Sequence, residues 1–328
     1  MSRSPHIEID VAGRTIRARL MREQNPQVVD LVYSHLPVTS FALHPNVSGA
    51  GFLLPTMITH TGESYMVNRH PGAVYLYAPG QSIVLTYGDT NESAPVNKFA
   101  EVFEEDMPEL MTIGKLVYDQ TLANVEHKVI GATVRLAGPH DFISTERPPL
   151  DPLEVVGGWR KAEAIFLTEA RRALSGEPAD ISSSFSGVIP SGMGTGGNLL
   201  PVWMHQWSYL MTDGPNTLYR FVTDTQIPDM TLPIMVELSR NHLLRPFNHF
   251  DFLGDLGLTK FKTWGAIYSA ALDDLNSLAE FKRLTIALLT LVNLFHRRVQ
   301  LRFPFYLGKA FLHGGKYSTR LDQDETDF

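Results

Sequence analysis

Five polar residues that could carry chemistry flank one short hydrophobic stretch in the first third of the chain. Arg69 and His70 come directly before this stretch, and Asp89, Glu92 and Lys98 follow it. A guanidinium or an ammonium group can bind a carboxylate, whereas an imidazole or a carboxylate can transfer a proton. These residue types therefore predict a site for a small polar substrate.

The hydrophobic stretch has the composition of two β-strands. Residues 72–78 and 82–87 are rich in β-branched and aromatic residues and are separated by Pro79 and Gly80, which is typical of a hairpin. Because side chains alternate along a strand, Tyr87 is expected on the face that the other odd-numbered residues of the second strand share. A hairpin would bring its polar flanks together, but a solvated loop without function has the same spacing, so both interpretations stay open.

Composition limits the classes of function. The chain has 328 residues, of which 44% are hydrophobic and 19% are charged, as in a globular protein of about two domains. A net charge of −7 and the lack of a basic stripe argue against nucleic acid as a partner. The absence of cysteine excludes disulfides, thiolate metal sites and cysteine nucleophiles.

No part of the sequence is typical of a membrane protein. The first residues lack the apolar core of a signal peptide, and we expect a cytoplasmic protein without a membrane partner. The longest apolar run, residues 284–295, is too short to cross a bilayer, which needs about 20 residues. It predicts a buried helix within residues 277–300, and a monomer core or a homodimer interface could bury that helix equally well.

The pattern of elements predicts an α+β protein. Residues 1–138 contain many short apolar runs and one helical stripe at 27–36, which favours a β-barrel domain. Residues 139–152 include four prolines and are predicted to be a linker. Residues 153–328 are predicted to form a helical bundle. Its helices are expected at residues 153–174, 202–211, 218–223, 232–244, 263–272 and 277–300.

Several familiar motifs are absent or incomplete. Gly192, Gly194 and Gly197 have the GxGxxG spacing, but Pro201 would interrupt the helix that a dinucleotide site requires. We therefore expect a loop or lid rather than a nicotinamide site, and no cofactor. The histidines show no metal-ligand spacing, so no metal is expected.

Two tryptophans, Trp203 and Trp207, lie one helical turn apart in the helical half. Core packing explains such a stripe most often, and an aromatic wall that binds a flat substrate is the alternative.

The segment GAVYLYAPGQSIVLTYGDT, followed by PVNKFAEV, resembles the cyclophilin-like β-barrels of several bacterial enzymes. A barrel of this kind followed by a helical bundle resembles the family of cucumopine and mikimopine synthases and β-carboline-forming Pictet–Spengler enzymes. The architectural resemblance covers most of the chain, whereas the motif covers residues 66–102.

The resemblance implies a condensation that needs no cofactor. An amino acid and a carbonyl compound form an imine, the aromatic ring of the amino acid attacks it, and a base removes a ring proton. By position, Glu92 would be this base and Arg69 would hold a carboxylate, with Lys98, Trp203 and Trp207 as further substrate-binding residues. The family also uses a histidine near the hairpin. Here Tyr87 stands at that place and His70 is the nearest imidazole, so these two residues are the further candidates for a catalytic role.

The specific hypothesis is an opine-type synthase that joins L-histidine to 2-oxoglutarate and gives a cucumopine-like ring. The same reaction with L-tryptophan in place of histidine would give a tetrahydro-β-carboline. A reductive opine dehydrogenase that depends on NADPH, and a non-catalytic module that binds a small acid, are also compatible with the sequence. In every case the expected partners are small molecules.

Overall fold

The computed structural model divides into two compact units. The residues it describes are 6–45, 49–90, 92–123, 128–138, 158–186, 200–224, 230–243, 249–255 and 257–303. The first unit contains the described residues from 6 to 138 except 79–81, and the second contains 79–81 and those from 158 to 303. The predicted linker, 139–152, lies outside the described residues.

The first unit is built on nine strands within its described residues. They are β1 (His6–Val11), β2 (Arg14–Leu20), β3 (Val38–Ala42), β4 (Gly51–Pro55), β5 (Met66–Val67), β6 (Ala73–Tyr77), β7 (Ser82–Thr86), β8 (Val96–Val102) and β9 (Ile130–Leu136). All pair antiparallel in the order β3-β9-β1-β2-β8-β6-β7-β4, and β5 pairs with β8. The predicted hairpin is confirmed as β6 and β7.

The two end strands of this sheet meet, so that the sheet is nearly closed into a barrel. Leu43, directly after β3, and Leu53 of β4 form an isolated bridge. Their two backbone N–H···O=C bonds measure 3.1 and 2.9 Å. The predicted fold class, a β-barrel region followed by a helical region, is thus confirmed.

The barrel interior is filled by apolar side chains. Val74 and Leu76 of β6 and Leu85 of β7 belong to this core and are at most 2% exposed. Helix α1 (Pro26–His35) packs its buried valines into the same core, and Asn25 caps it by accepting a bond from the Val28 amide. Helix α2 (Met107–Tyr118) also contributes buried side chains to this core.

The second unit is helical throughout its regular elements in the described residues. The helices are α3 (Gly158–Ser175), α4 (Ala179–Phe185), α5 (Leu200–Thr223), α6 (Leu232–Leu238), α7 (His249–Asp255), α8 (Thr259–Ala271) and α9 (Leu278–Arg302). Helix α5 corrects one prediction, because it runs without a break through Pro215, where two helices were expected. The residue before this proline is Gly214, which has no Cβ to clash with the proline ring. A Cβ there would also lie 2.5 Å from the Leu243 Cδ1, so the missing side chain lets the helix pack closely.

Helix α9 is the central helix of the second unit. Residues 284–301 of this helix are buried almost without exception, as the apolar run predicted. Ser277 caps its N-terminus by accepting a bond from the Glu280 amide at 3.2 Å. The Glu280 carboxylate accepts a bond from the Asn276 amide in return, which completes a reciprocal capping arrangement. No helix in the described part of the chain has the length and hydrophobicity that a membrane span requires.

Candidate functional site

A β-bulge determines which polar side chains share the outer face of the barrel. On β6 and β8, Val74 pairs with Ala100 but Tyr75 pairs with Lys98, so Phe99 is an extra residue in the ladder. Residues that face each other across two strands point to the same side of the sheet. Because Val74 points into the barrel core, Tyr75 and Lys98 lie together on the opposite, outer face.

Arg69 and Glu92 form an ion pair beside Tyr75. The Arg69 Nη2 lies 2.5 Å from the Glu92 Oε2. The same guanidinium stacks over the Tyr75 ring at 5.7 Å and donates from Nε to the Tyr75 hydroxyl at 3.3 Å. Burial raises the pKa of the Tyr75 hydroxyl, while Arg69 opposes that shift. The tyrosine is therefore a neutral support for the ion pair.

The Arg69 guanidinium also fixes the backbone of the loop that carries Glu92. Its Nη1 donates to the carbonyl oxygens of Glu92 at 3.2 Å and Ala94 at 2.5 Å. Four of the five guanidinium N–H groups thus have partners. The Arg69 side chain is 8% exposed, whereas the Glu92 side chain is 37% exposed. The carboxylate is thus the solvent-accessible member of the pair, and the buried arginine fixes its position.

A second charge cluster on the same face joins His70, Lys98 and Glu101. Lys98 forms an ion pair with Glu101, and its Nζ lies 3.2 Å from the His70 Nε2. The His70 Nε2 also lies 3.2 Å from each of the two Glu101 carboxylate oxygens. Lys98 is 8% exposed and His70 is 41% exposed at the side chain, so the imidazole is the accessible part here. Sequence reasoning missed Glu101, and only the bulge explains why it faces Lys98.

Tyr87 lies elsewhere, in the barrel core. The residue is 3% exposed and its hydroxyl lies 3.0 Å from the His44 Nε2. Burial raises the pKa of the Tyr87 hydroxyl and lowers the pKa of His44 to about 4. The structure therefore brings Arg69, Glu92, His70 and Lys98 to one face, and it does not bring Tyr87 to them.

Glu92 does not point into a cavity inside the barrel. The interior is occupied by packed apolar side chains. The reason is the alternation along β6: Val74 and Leu76 fill the core, and Tyr75 between them places the site residues on the outside.

The structure describes little of the two predicted tryptophans and of the glycine-rich segment. Trp203 and Trp207 lie in helix α5, but their side chains, like the glycine-rich residues 191–197, lie outside the part that the structure describes. Among the described residues, no group of three or more His, Cys, Asp or Glu side chains is arranged to hold a metal ion.

The outer-face arrangement offers two proton-transfer groups, each supported by a buried cation. A carboxylate in its ionised form can accept a proton, and a neutral imidazole can accept one and return it. Such a pair suits a reaction that needs proton transfers at two different atoms.

The chain is similar to known proteins both in its helical part and in its overall fold. Residues 160–301 match the family model described as cucumopine synthase C-terminal helical bundle domain. The chain resembles the solved structure of McbB in complex with tryptophan, with a TM-score of 0.79 and 22% identity over 92% of this chain and 98% of that one. At this identity the likeness shows a common fold.

Two further comparisons give no evidence about the fold or function of this chain. The solution structure of the hypothetical protein AF2241 from Archaeoglobus fulgidus is 17% identical over 42% of this chain and 98% of that one, but its TM-score is only 0.30. No curated protein matches the sequence.

Proposed function

Because residues 160–301 match the family model described as cucumopine synthase C-terminal helical bundle domain, we propose that the protein is a Pictet–Spengler-type synthase. It joins an L-amino acid with an aromatic side chain to a 2-oxo acid and closes a ring. The observation that carries the proposal is the Arg69–Glu92 ion pair, which fixes an accessible carboxylate on the barrel.

The reaction consists of a condensation and a ring closure. The amino acid ammonium and the carbonyl compound give an iminium ion and one water molecule. The aromatic ring then attacks the iminium carbon, and the ring carbon that formed the new bond loses its proton, which restores aromaticity. No electrons are transferred between the reactants and a carrier, so the chemistry requires no redox cofactor.

Glu92 is the base that removes the ring proton. A positioned general base contributes about 10²- to 10⁴-fold in rate. Holding the two reactants together can contribute a further ~7–11 kcal/mol to lowering the barrier. Both contributions depend on a rigid site, which agrees with the bonds from Arg69 to the side chain and the carbonyl of Glu92.

The proposed substrates are L-histidine and 2-oxoglutarate. This choice follows the family of the helical part, because the resemblance to cucumopine synthases implies these two reactants. L-Tryptophan is the second candidate, since a solved structure with the same fold contains tryptophan.

Product analysis tests the proposal. Purified protein is incubated with 2-oxoglutarate and either amino acid, without nicotinamide, and the ring-closed product is sought by mass spectrometry. A ring-closed product with one of the two pairs is expected. Product that forms only after NADPH is added would instead identify a reductive opine dehydrogenase, and binding without any product would identify a module that binds a small acid.

A further inference from the structure

The His70 imidazole has hydrogen-bond partners that define where its protons lie. Its Nδ1 is 3.1 Å from the carbonyl oxygen of Asn68. A carbonyl oxygen only accepts hydrogen bonds, so Nδ1 carries a hydrogen. In the neutral ring the lone pair is therefore on Nε2, the nitrogen that faces Lys98 and Glu101.

Both protonation states of this ring have a partner at Nε2. When Nε2 is unprotonated, the Lys98 ammonium at 3.2 Å can donate to it. When Nε2 is protonated, either oxygen of the Glu101 carboxylate at 3.2 Å can accept from it. A group that is supported in both states can take up a proton and return it. The charged groups that face this nitrogen are Lys98 and Glu101 of β8.

The cluster of His70, Lys98 and Glu101 lies on the same face of the barrel as Glu92. His70 directly follows Arg69, whose guanidinium holds the Glu92 side chain. Arg69 also contacts the Tyr75 ring, and Tyr75 is the cross-strand partner of Lys98. The two accessible proton-transfer groups thus share one face, each with a buried cation behind it.

We propose that His70 is a second catalytic residue, which transfers protons during imine formation, and that Lys98 and Glu101 are its positioning residues. The inference rests on the proposed synthase function and adds a step to it. The substrate ammonium takes the place of the Lys98 ammonium at the Nε2 of His70 and gives it one proton, which frees the amine to attack the carbonyl carbon. It then returns that proton to the departing hydroxyl group, which leaves as water.

The step is balanced: an ammonium ion and a ketone give an iminium ion and water, and His70 ends as it began. Glu92 acts afterwards, on the proton of the ring carbon. The two residues therefore serve different steps, and their variants should fail at different points.

Reductive trapping separates these steps, because cyanoborohydride converts the imine into a stable N-alkyl amino acid. We expect His70→Gln to lower the rates of both the trapped adduct and the ring-closed product at least about tenfold. Glu92→Gln should keep the trapped adduct and lose the ring-closed product. His35→Gln is the matched control, since His35 is also exposed and its Nδ1 also bonds a backbone carbonyl.

The positioning role of Glu101 needs its own comparison. Glu101→Gln should slow formation of the trapped adduct, because a neutral amide accepts a weaker hydrogen bond from protonated His70 than a carboxylate does. The control is Glu105→Gln, an exposed carboxylate of the same unit that bonds Arg17, and it should have the wild-type rate. Equal rates for the two variants would overturn the role of Glu101.

A measurement without substrate checks the geometry. Long-range ¹H–¹⁵N spectra, with the His70 resonance identified by its absence in His70→Gln, should show the Nδ1–H tautomer when the ring is neutral. The Nε2–H tautomer, or a trapped-adduct rate in His70→Gln within twofold of an active wild type, would overturn the His70 assignment alone. A wild type that forms neither adduct nor product would instead overturn the proposed function.

Discussion

Arg69 and Glu92 stand 23 positions apart in the chain, yet the arginine binds the glutamate at both its backbone carbonyl and its carboxylate. The contact to the Ala94 carbonyl adds a third point of attachment. A loop residue held in this way cannot move without breaking several charge-assisted bonds. The loop therefore acquires the rigidity that a catalytic group needs.

Arg69→Lys tests whether this arginine positions Glu92. A lysine ammonium cannot reproduce the planar fork that binds the carboxylate and two carbonyls together. We expect kcat to fall about 10- to 100-fold with a smaller change in KM, since a misplacement of about 1 Å can have an effect of that size. Arg135→Lys, at the ion pair with Glu8 on the same unit, should leave kcat unchanged. A rise in KM alone would instead support the carboxylate-binding role that the family resemblance implies.

Gly114→Ala tests the packing of Tyr87 in the barrel core. A Cβ at this position of α2 would overlap the Tyr87 ring. In an open helix, alanine would stabilise relative to glycine by about 1 kcal/mol, but overpacking should instead destabilise the protein by about 1–3 kcal/mol. Gly131→Ala on β9 is the control, because nothing lies within 4 Å of its added Cβ. Equal melting temperatures for the two variants would contradict the packing described here.

His44 predicts a stability that depends on pH. Burial lowers the pKa of His44 in the folded state to about 4, from 6.5, so the unfolded state binds the proton more readily. The stabilisation is complete above pH 6.5 and is lost as the pH falls towards 4. The loss amounts to about 3 kcal/mol over this range.

His44→Gln is the variant that isolates this effect. Glutamine does not titrate but can still bond the Pro45 carbonyl and the Tyr87 hydroxyl. Urea unfolding at several pH values should show a shallower pH dependence for the variant than for the wild type. Identical slopes would show that His44 is not the titrating group.

Arg298→Met tests the buried cation of the second unit. Arg298 donates to the Ala173 and Leu174 carbonyls at 2.6 and 2.8 Å, near the C-terminal end of α3. Burial lowers the pKa of this guanidinium to about 10, so it stays charged at neutral pH. Methionine would leave both carbonyls without these donors, and we expect a loss of about 2–4 kcal/mol in unfolding free energy.

The control for this variant is Arg172→Met on the neighbouring helix. Arg172 is 71% exposed and its ion pair with Glu169 lies at the surface, so the change should stay within about 0.5 kcal/mol. A comparable loss in both variants, measured by chemical denaturation, would mean that the buried bonds of Arg298 contribute little.

Local sequence patterns were sufficient to predict the β6–β7 hairpin and helix α9, because neighbouring residues determine both. The β6–β7 hairpin follows from the β-branched and aromatic residues on both sides of Pro79 and Gly80, and α9 follows from its apolar run. Helix α5 was predicted as two pieces, but it continues through Pro215, and Gly214 directly before the proline has no Cβ to clash with its ring. The close approach of Gly214 to Leu243 is a tertiary contact that no local pattern reveals.

The candidate site was predictable only in part, for a similar reason. Arg69, His70, Glu92 and Lys98 were recognised because they flank the hairpin. The β-bulge at Phe99 turns Lys98 and Glu101 towards the outer face, and a bulge is a property of strand pairing that a single sequence does not show. Tyr87 was expected in the site because of the family resemblance, but it shares the strand face of Ile83 and Leu85 and lies with them in the core.

The Glu92 carboxylate is proposed to remove the ring proton, and Glu92→Gln is the variant that isolates this role. Glutamine keeps the size of the side chain and can still accept a bond from Arg69, but it cannot act as a base. With L-histidine and 2-oxoglutarate and no nicotinamide, we predict at least about a hundredfold slower formation of the ring-closed product than in the wild type. A folded Glu92→Gln variant that forms this product at the wild-type rate would contradict the claim.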